Sequence, residues 1–341
     1  MKNRRWRVAV LPGDGVGPEL MKASLPVLER AADLFGIRID TDIGEAGLEC
    51  IGKYKTNLPE KTAKLLRSSD CVLKGPMTTP EGKDSEVSAA VKIRKMFRLY
   101  ANVRPCKSID GIDSIGKGTD LVIVRENTEG LYSGIDAMVS DNMAIGFRII
   151  TRKASRDIGT YALSLAMKRK RHLTIVHKAN ILKNTDNLFK GEILSAAKKY
   201  PMVRVDEAHV DAMSQWLIKN PGSYDVIVTE NMFGDILSDE AAMIVGGIGT
   251  CPSVNIGKSF AMFEPVHGSA PKYAGMDKVN PIATILSIKM MLDWMGFGDA
   301  AKAVEKAVQY SIYRKIKTYD IGGNSKTSEV GRFIERELKR H

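Results

Sequence analysis

Short runs of β-branched and aliphatic residues recur along this chain, each separated from the next by a stretch long enough for a helix. That alternation commits the chain to an α/β architecture built on mainly parallel strands. The clearest runs lie at residues 7–11, 71–73, 121–124, 173–176 and 225–228, and amphipathic helices are predicted at 18–35, 155–168 and 185–199. The residues just after each run are more informative than the run itself: Pro12-Gly13-Asp14-Gly15, Gly75-Pro76-Met77-Thr78-Thr79, Arg125-Glu126-Asn127, His177-Lys178-Ala179-Asn180 and Thr229-Glu230-Asn231. Polar, ionisable and glycine residues thus cluster at five strand exits. In open α/β sheets ligands bind beyond the carboxyl ends of the strands, so one composite site can gather residues far apart in sequence.

At 341 residues the chain exceeds one comfortable core, and its 44% hydrophobic content can fill two lobes. No linker separates them, which leaves room for a lobe assembled from both chain ends. The apolar runs are too short to span a bilayer, and the basic N-terminus leads straight into a strand pattern, so no signal peptide and no membrane segment are expected. Cys50, Cys71, Cys106 and Cys251 are widely spaced, which argues against a zinc site or a disulfide framework and suits a reducing cytoplasm. The formal charge of +11 is spread among 40 acidic residues, and the dense basic run at 168–172 has no interleaved aromatics to stack bases. That argues against nucleic acid; the excess suits attraction of polyanionic small molecules instead.

Asp235 and Asp239 stand at i and i+4, which puts both carboxylates on one helix face. Such oxygen ligands suit Mg²⁺ or Mn²⁺, although a solvated acidic face has the same spacing. Arg94, Arg98 and Arg104 lie close together and Arg125 stands at a strand exit; guanidinium groups grip carboxylates by paired hydrogen bonds, while Arg98 reads rather as an ordinary surface arginine. Gly13, Gly15 and Gly17 suggest a dinucleotide loop, but position 18 is proline and GxGxxG fails. Gly246, Gly247 and Gly249, with His267-Gly268-Ser269-Ala270 farther on, offer other close-approach backbone for a nucleotide. Lys178 and Tyr132 are candidate proton handlers, and no Ser/His/Asp or Cys/His arrangement is visible.

Together these segments closely resemble the isocitrate and isopropylmalate dehydrogenase family of β-decarboxylating dehydrogenases. The motifs Leu11-Pro-Gly-Asp-Gly-Val-Gly-Pro-Glu19, Arg125-Glu-Asn-Thr-Glu-Gly-Leu-Tyr132, His177-Lys-Ala-Asn180, Gly234-Asp-Ile-Leu-Ser-Asp239 and Glu264-Pro-Val-His-Gly-Ser-Ala-Pro271 carry the likeness over nearly the whole chain. The resemblance implies the isopropylmalate-dehydrogenase-like α/β fold rather than a Rossmann fold. Its large domain would come from residues 1–99 and 246–341 and a smaller domain from 100–245, with an arm at about 133–150 interlocking with a second subunit. It implies a homodimer with shared active sites. Asp235 and Asp239 would bind Mg²⁺ or Mn²⁺ with Asp211 of the other subunit, and Arg94, Arg104, Arg125 and Asn180 would hold substrate. Lys178, also from the other subunit, would take the hydroxyl proton as hydride leaves, and Tyr132 would protonate the enolate after CO₂ departs.

Within the family the segment before Arg94 sets substrate choice, and Ser88 matches the serine of isocitrate enzymes where isopropylmalate enzymes are apolar. Ala90 stands where isocitrate enzymes usually carry Asn, and the stretch from Thr79 to Ser88 is one residue longer. Lys92 offers a cation for the longer arm of homoisocitrate, so isocitrate leads while homoisocitrate and 3-isopropylmalate stay open. Lys272 and Tyr273 match the residues that meet the 2′-phosphate in NADP-dependent isocitrate dehydrogenases, and Tyr319 also matches, although Gly323 replaces an arginine that some of them add. Thr78, Thr79, His267, Gly268, Ser269, Ala270 and Asn280 complete the implied cofactor set, which favours NADP with NAD still open. A non-catalytic regulatory subunit would be expected to lose metal or proton-transfer groups, and all of them are present here.

Overall fold

A computed structural model describes residues 4–79 and 86–339. Its strands are β1 (Arg5–Leu11), β2 (Arg38–Ile43), β3 (Cys71–Lys74), β4 (Ala101–Lys107), β5 (Asp120–Glu126), β6 (Asp136–Ser140), β7 (Met143–Gly146), β8 (His172–His177), β9 (Arg204–His209), β10 (Val226–Thr229), β11 (Pro252–Ile256) and β12 (Ala261–Pro265). Its helices are α1 (Gly17–Phe35), α2 (Leu48–Tyr54), α3 (Glu60–Ser68), α4 (Ala89–Phe97), α5 (Arg152–Met167), α6 (Thr185–Ala197), α7 (Val210–Lys219), α8 (Asn231–Ile244), α9 (Ile282–Trp294), α10 (Gly298–Tyr313) and α11 (Thr327–Glu337). Residues 80–85, at the start of the substrate-choice segment, lie outside the described residues.

The five apolar runs all become strands, buried along their central residues as expected of strands covered by helices on both faces. Helix α1 begins with Pro18 in its first turn and ends on Gly36 at φ 64°, a left-handed cap that a side chain would strain. It buries Leu20, Met21, Val27, Leu28 and Ala31 and packs mainly against α11, with α9 and α10 alongside.

Ten strands form one sheet in the order β2-β1-β3-β12-β11-β4-β5-β10-β8-β9. The sheet is mainly parallel, as expected, with an antiparallel centre in which β12–β11, β11–β4 and β4–β5 are successive pairs. The flanking pairs are parallel. The first five strands in this order come from residues 5–74 and 252–265, and the other five from 101–229, so the chain returns late to the side on which it began. Because β4 runs against β5, with Asn102 opposite Arg125, its opening residues reach the edge at which β5, β8 and β10 end.

Strands β6 and β7 form a separate antiparallel hairpin whose residues are all exposed, among them Met138, Val139, Met143 and Ile145. An isolated two-stranded hairpin is marginal in water, and apolar faces of this kind mark interaction surfaces. Among the described residues no helix is long and apolar enough to cross a membrane, and the four cysteines are buried and unlinked.

Candidate active site

Helix α8 starts at the exit of β10, where the buried Glu230 caps it by accepting the backbone N–H groups of Phe233 at 2.9 Å and Met232 at 3.2 Å. One turn on, Gly234 lies so close to β5 that a Cβ would stand 2.7 Å from the Arg125 Cβ, and this contact brings Asp235 onto the Arg125 guanidinium. Arg104 reaches the same face from β4: one nitrogen lies 3.2 Å from Asp235 and another 3.1 Å from Asp239, and it also donates to Ser238 Oγ at 2.6 Å. The cation required between two carboxylates at i and i+4 is therefore Arg104 within this chain.

Burial opposes ionisation of Asp235, but Arg125 and Arg104 outweigh it and hold the carboxyl below its ordinary range. On the more exposed Asp239 burial prevails and pushes the group up. Arg125 is brought down to about 10 by burial and by the neighbouring Arg104 charge. Tyr132 hydrogen-bonds Asp235 through its hydroxyl and lies under Arg125, whose guanidinium is 4.9 Å from the ring centre. Burial and that hydrogen bond push the Tyr132 hydroxyl up, so it keeps its proton at neutral pH. Asp235, held ionised by its arginines, and the more exposed Asp239 are hard oxygen donors on one helix face, a donor set that fits Mg²⁺ or Mn²⁺. Among the described residues of one chain no cluster of three or more His, Cys, Asp or Glu forms a cage, so further oxygens have to come from water, substrate or another chain.

Lys178 and Asp211 sit elsewhere. Lys178 leaves the exit of β8 and Asp211 opens α7, and the ammonium lies 2.5 Å from the Asp211 carboxylate. The Asp211 side chain is 62% exposed, so this pair faces outward and shares no contact with Asp235 or Asp239. Asn180, next to Lys178, is exposed on the rim of a cavity of about 380 Å³ lined by His177, Lys190, Glu207 and His209.

Among the residues that the resemblance implies for the cofactor, three loops interlock. Asp14 N–H donates to Pro76 O and Val16 N–H to Ser269 O, each at 2.9 Å. A Cβ at Gly13 or Gly15 would collide with Pro76 O or Ser269 O at 2.1 and 2.2 Å, so these glycines serve loop-to-loop contact. Asp14 further accepts Thr78 N–H at 2.8 Å, and the Thr78 and Ser269 hydroxyls meet at 2.7 Å; Thr79 and Gly268 are exposed and Ala270 takes φ 37°. His267 is kept neutral by burial, with Nδ1 at 3.1 Å from Gly268 O and a buried Nε2 that no described residue satisfies. Asn280 donates to Asp320 at 3.0 Å, a contact that leaves no room for a Cβ at Gly249. The neighbouring Tyr319 lies near Tyr273, ring centres 6.4 Å apart. Lys272 lies 5.0 Å from the Tyr273 ring and Lys278 lies 4.4 Å from the Tyr319 ring. An orphaned buried imidazole nitrogen, with two lysines around the half-buried Tyr273 and the exposed Tyr319, fits a phosphate-bearing nucleotide.

The family model described as isocitrate/isopropylmalate dehydrogenase matches residues 7–334. The chain belongs to that family. It is 42% identical to a 3-isopropylmalate dehydrogenase of Sulfurisphaera tokodaii over 98% of this chain and 99% of that one. It is 43% identical, with the same coverage of each chain, to a homoisocitrate dehydrogenase of Methanocaldococcus jannaschii. The crystal structure of an isocitrate dehydrogenase from Methylococcus capsulatus superposes with a TM-score of 0.93 at 39% identity, covering 98% of this chain and 99% of that one. This dehydrogenase is therefore an enzyme of decarboxylating type, in a family that uses NAD(P) and a divalent metal.

In this family member Ser88 has a local task, since its hydroxyl accepts Val91 N–H at 3.4 Å as the N-cap of α4. Arg94, on α4, reaches Glu264 at 3.2 Å and keeps a buried Nε without a partner among the described residues. Arg98 is the exposed left-handed cap of the same helix, in keeping with a surface arginine. Lys92, open for homoisocitrate, is bound to Glu86 and lies 3.3 Å from Thr56 Oγ1. Sequence reasoning missed the buried network behind Arg94: Glu264 also meets Lys74 at 2.7 Å and accepts from Asn255 at 2.6 Å, and Asn255 accepts from Asn102 and Asn127, each at 2.9 Å. Asn102 in turn accepts from Arg104 at 2.7 Å. The available signal was a lysine closing the apolar run of β3 and asparagines inside strands.

Proposed function

We propose that this chain is an NADP-preferring isocitrate dehydrogenase, acting as a homodimer whose active sites each combine residues of both subunits. The observation that carries the reading is the convergence of Arg104 and Arg125 on Asp235 and Asp239, with Arg94 beside them: cations for a polycarboxylate next to oxygen donors for a metal. The outward-facing Lys178–Asp211 pair and the exposed apolar hairpin of β6 and β7 support a second subunit. We assign the strands from 5–74 and 252–265 to the large domain and those from 101–229 to the smaller one, with that hairpin as the arm.

In this scheme Arg94, Arg104, Arg125 and Asn180 orient the substrate carboxylates, and Asp235 and Asp239 hold Mg²⁺ or Mn²⁺ with the partner's Asp211. When bound, the metal supplies Lewis acidity at the substrate oxygens and the nicotinamide accepts the hydride. The partner's Lys178 takes the hydroxyl proton. Tyr132, whose hydroxyl stays protonated, returns a proton to carbon after CO₂ leaves. Thr78, Thr79, His267, Gly268, Ser269, Ala270 and Asn280 cradle the nucleotide, and Lys272, Tyr273 and Tyr319 face its 2′-phosphate.

Isocitrate is favoured over 3-isopropylmalate by the polar Ser88, and over homoisocitrate by the engagement of Lys92 with Glu86 and Thr56. Purified protein with Mg²⁺ should turn over isocitrate with a higher kcat/KM than homoisocitrate or 3-isopropylmalate, and faster with NADP than with NAD. Brisk turnover of either rival with none of isocitrate would overturn the substrate.

A further inference from the structure

Arg148 lies just beyond β7 and turns inward, its side chain only 11% exposed. One terminal nitrogen binds Asp186 and donates to Thr185 Oγ1 at 2.8 Å; the other lies 3.6 Å from Glu230 Oε1, and the guanidinium stands 5.3 Å from the Phe233 ring centre. Both carboxylates are 1% exposed. The second oxygen of Asp186 accepts the Lys178 backbone N–H at 2.6 Å, so Asp186 sets the loop from which the Lys178 side chain departs. Glu230 caps α8, which carries Asp235 and Asp239. Arg148 therefore joins the support of the general base to the support of the metal carboxylates.

We propose that Arg148 is a positioning residue shared by the two active sites of the dimer, holding α8 for one and the Lys178 loop for the other. The inference rests on the shared-site reading above: α8 serves the chain's own site while the Lys178 loop serves the partner's. Two buried carboxylates on different elements require a shared cation, and the planar guanidinium can address both where an ammonium addresses one at a time.

Mixed dimers test this. A protomer with Lys178→Met paired with one carrying Asp235→Asn has one intact shared site, built from the aspartates of the first and the lysine of the second. Arg148→Lys is then placed in either protomer; it keeps the charge, so folding is retained even where Arg148→Met would fail. In the lysine-giving protomer it should lower kcat about tenfold and shift the pH profile, as loss of an outer-shell partner does. In the aspartate-giving protomer it should weaken Mn²⁺ binding about tenfold in a direct titration. Unchanged values, or an effect from one placement only, would overturn the shared role of Arg148 while the shared-site reading stands. A parent mixed dimer no more active than its inactive homodimers would overturn that reading, and the dual role of Arg148 with it.

Discussion

Lys74 Nζ lies 2.7 Å from Glu264 Oε2, with 3% and 10% of the two side chains exposed. Burial alone would raise the Glu264 carboxyl, but Lys74 and then Arg94 hold it far below its ordinary 4.5. A depressed carboxyl adds stability that is present above the unfolded value and lost as pH falls towards the folded one. Glu264→Gln should therefore cost about 3–5 kcal/mol at neutral pH by leaving two buried cations uncompensated. Urea unfolding should show the gap to wild type narrowing below about pH 4.5; a gap independent of pH would refute the ion pair as its cause.

Metal binding should be visible without turnover. Mn²⁺ at a hundred times its Kd should stabilise the folded protein by about 2.7 kcal/mol, read as a rise in Tm. Asp239→Asn removes one oxygen donor and should abolish most of that rise. An undiminished shift in the variant would place the ion elsewhere.

Cofactor preference should track charge. Lys272→Asp with Tyr273→Ile should lower the ratio of kcat/KM for NADP over NAD at least about tenfold, roughly 1.4 kcal/mol, because a carboxylate repels the 2′-phosphate. Lys278→Ala, made because that ammonium stands over Tyr319, should raise the KM for NADP and leave that for NAD unchanged. Equal effects on both cofactors would remove these residues from phosphate recognition.

Ser88 has a capping role and a proposed substrate role, and two variants separate them. Ser88→Ala should cost about 1 kcal/mol of stability through the lost cap. Ser88→Asn keeps a capping oxygen, so it should retain stability while lowering kcat/KM for isocitrate. Wild-type kinetics in the Asn variant would leave Ser88 a cap alone.

The strands legible in the sequence were those buried on both faces, whose continuous apolar runs at β1, β3, β5, β8 and β10 need no alternation. The strands missed at the centre, β4 and β11, carry Asn102, Arg104, Ser253 and Asn255, which break an apolar pattern because they are satisfied by one another across the antiparallel ladder. The same reason hid Lys74: a buried charge is recognisable only with its counter-ion, here 190 residues away in Glu264. Asp235 and Asp239 were visible by spacing, and Arg104 between them became so only when β4 was found to run against β5. Arg148 gave no signal, since its partners lie at 186 and 230.

The position of β12 constrains the order in which the molecule can be built. Its ladder partners are β3, with Ala261 opposite Cys71, and β11. Strands β4, β5, β8, β9 and β10 are all synthesised before it and can pair as a contiguous block. On the ribosome that block is expected to close first, while β1, β2 and β3 wait with an open edge at β3. Contacts of such long sequence separation form slowly and leave the waiting edge prone to mispairing. Folding errors in this enzyme should therefore concentrate at the seam between β3 and β12, the last to be sewn.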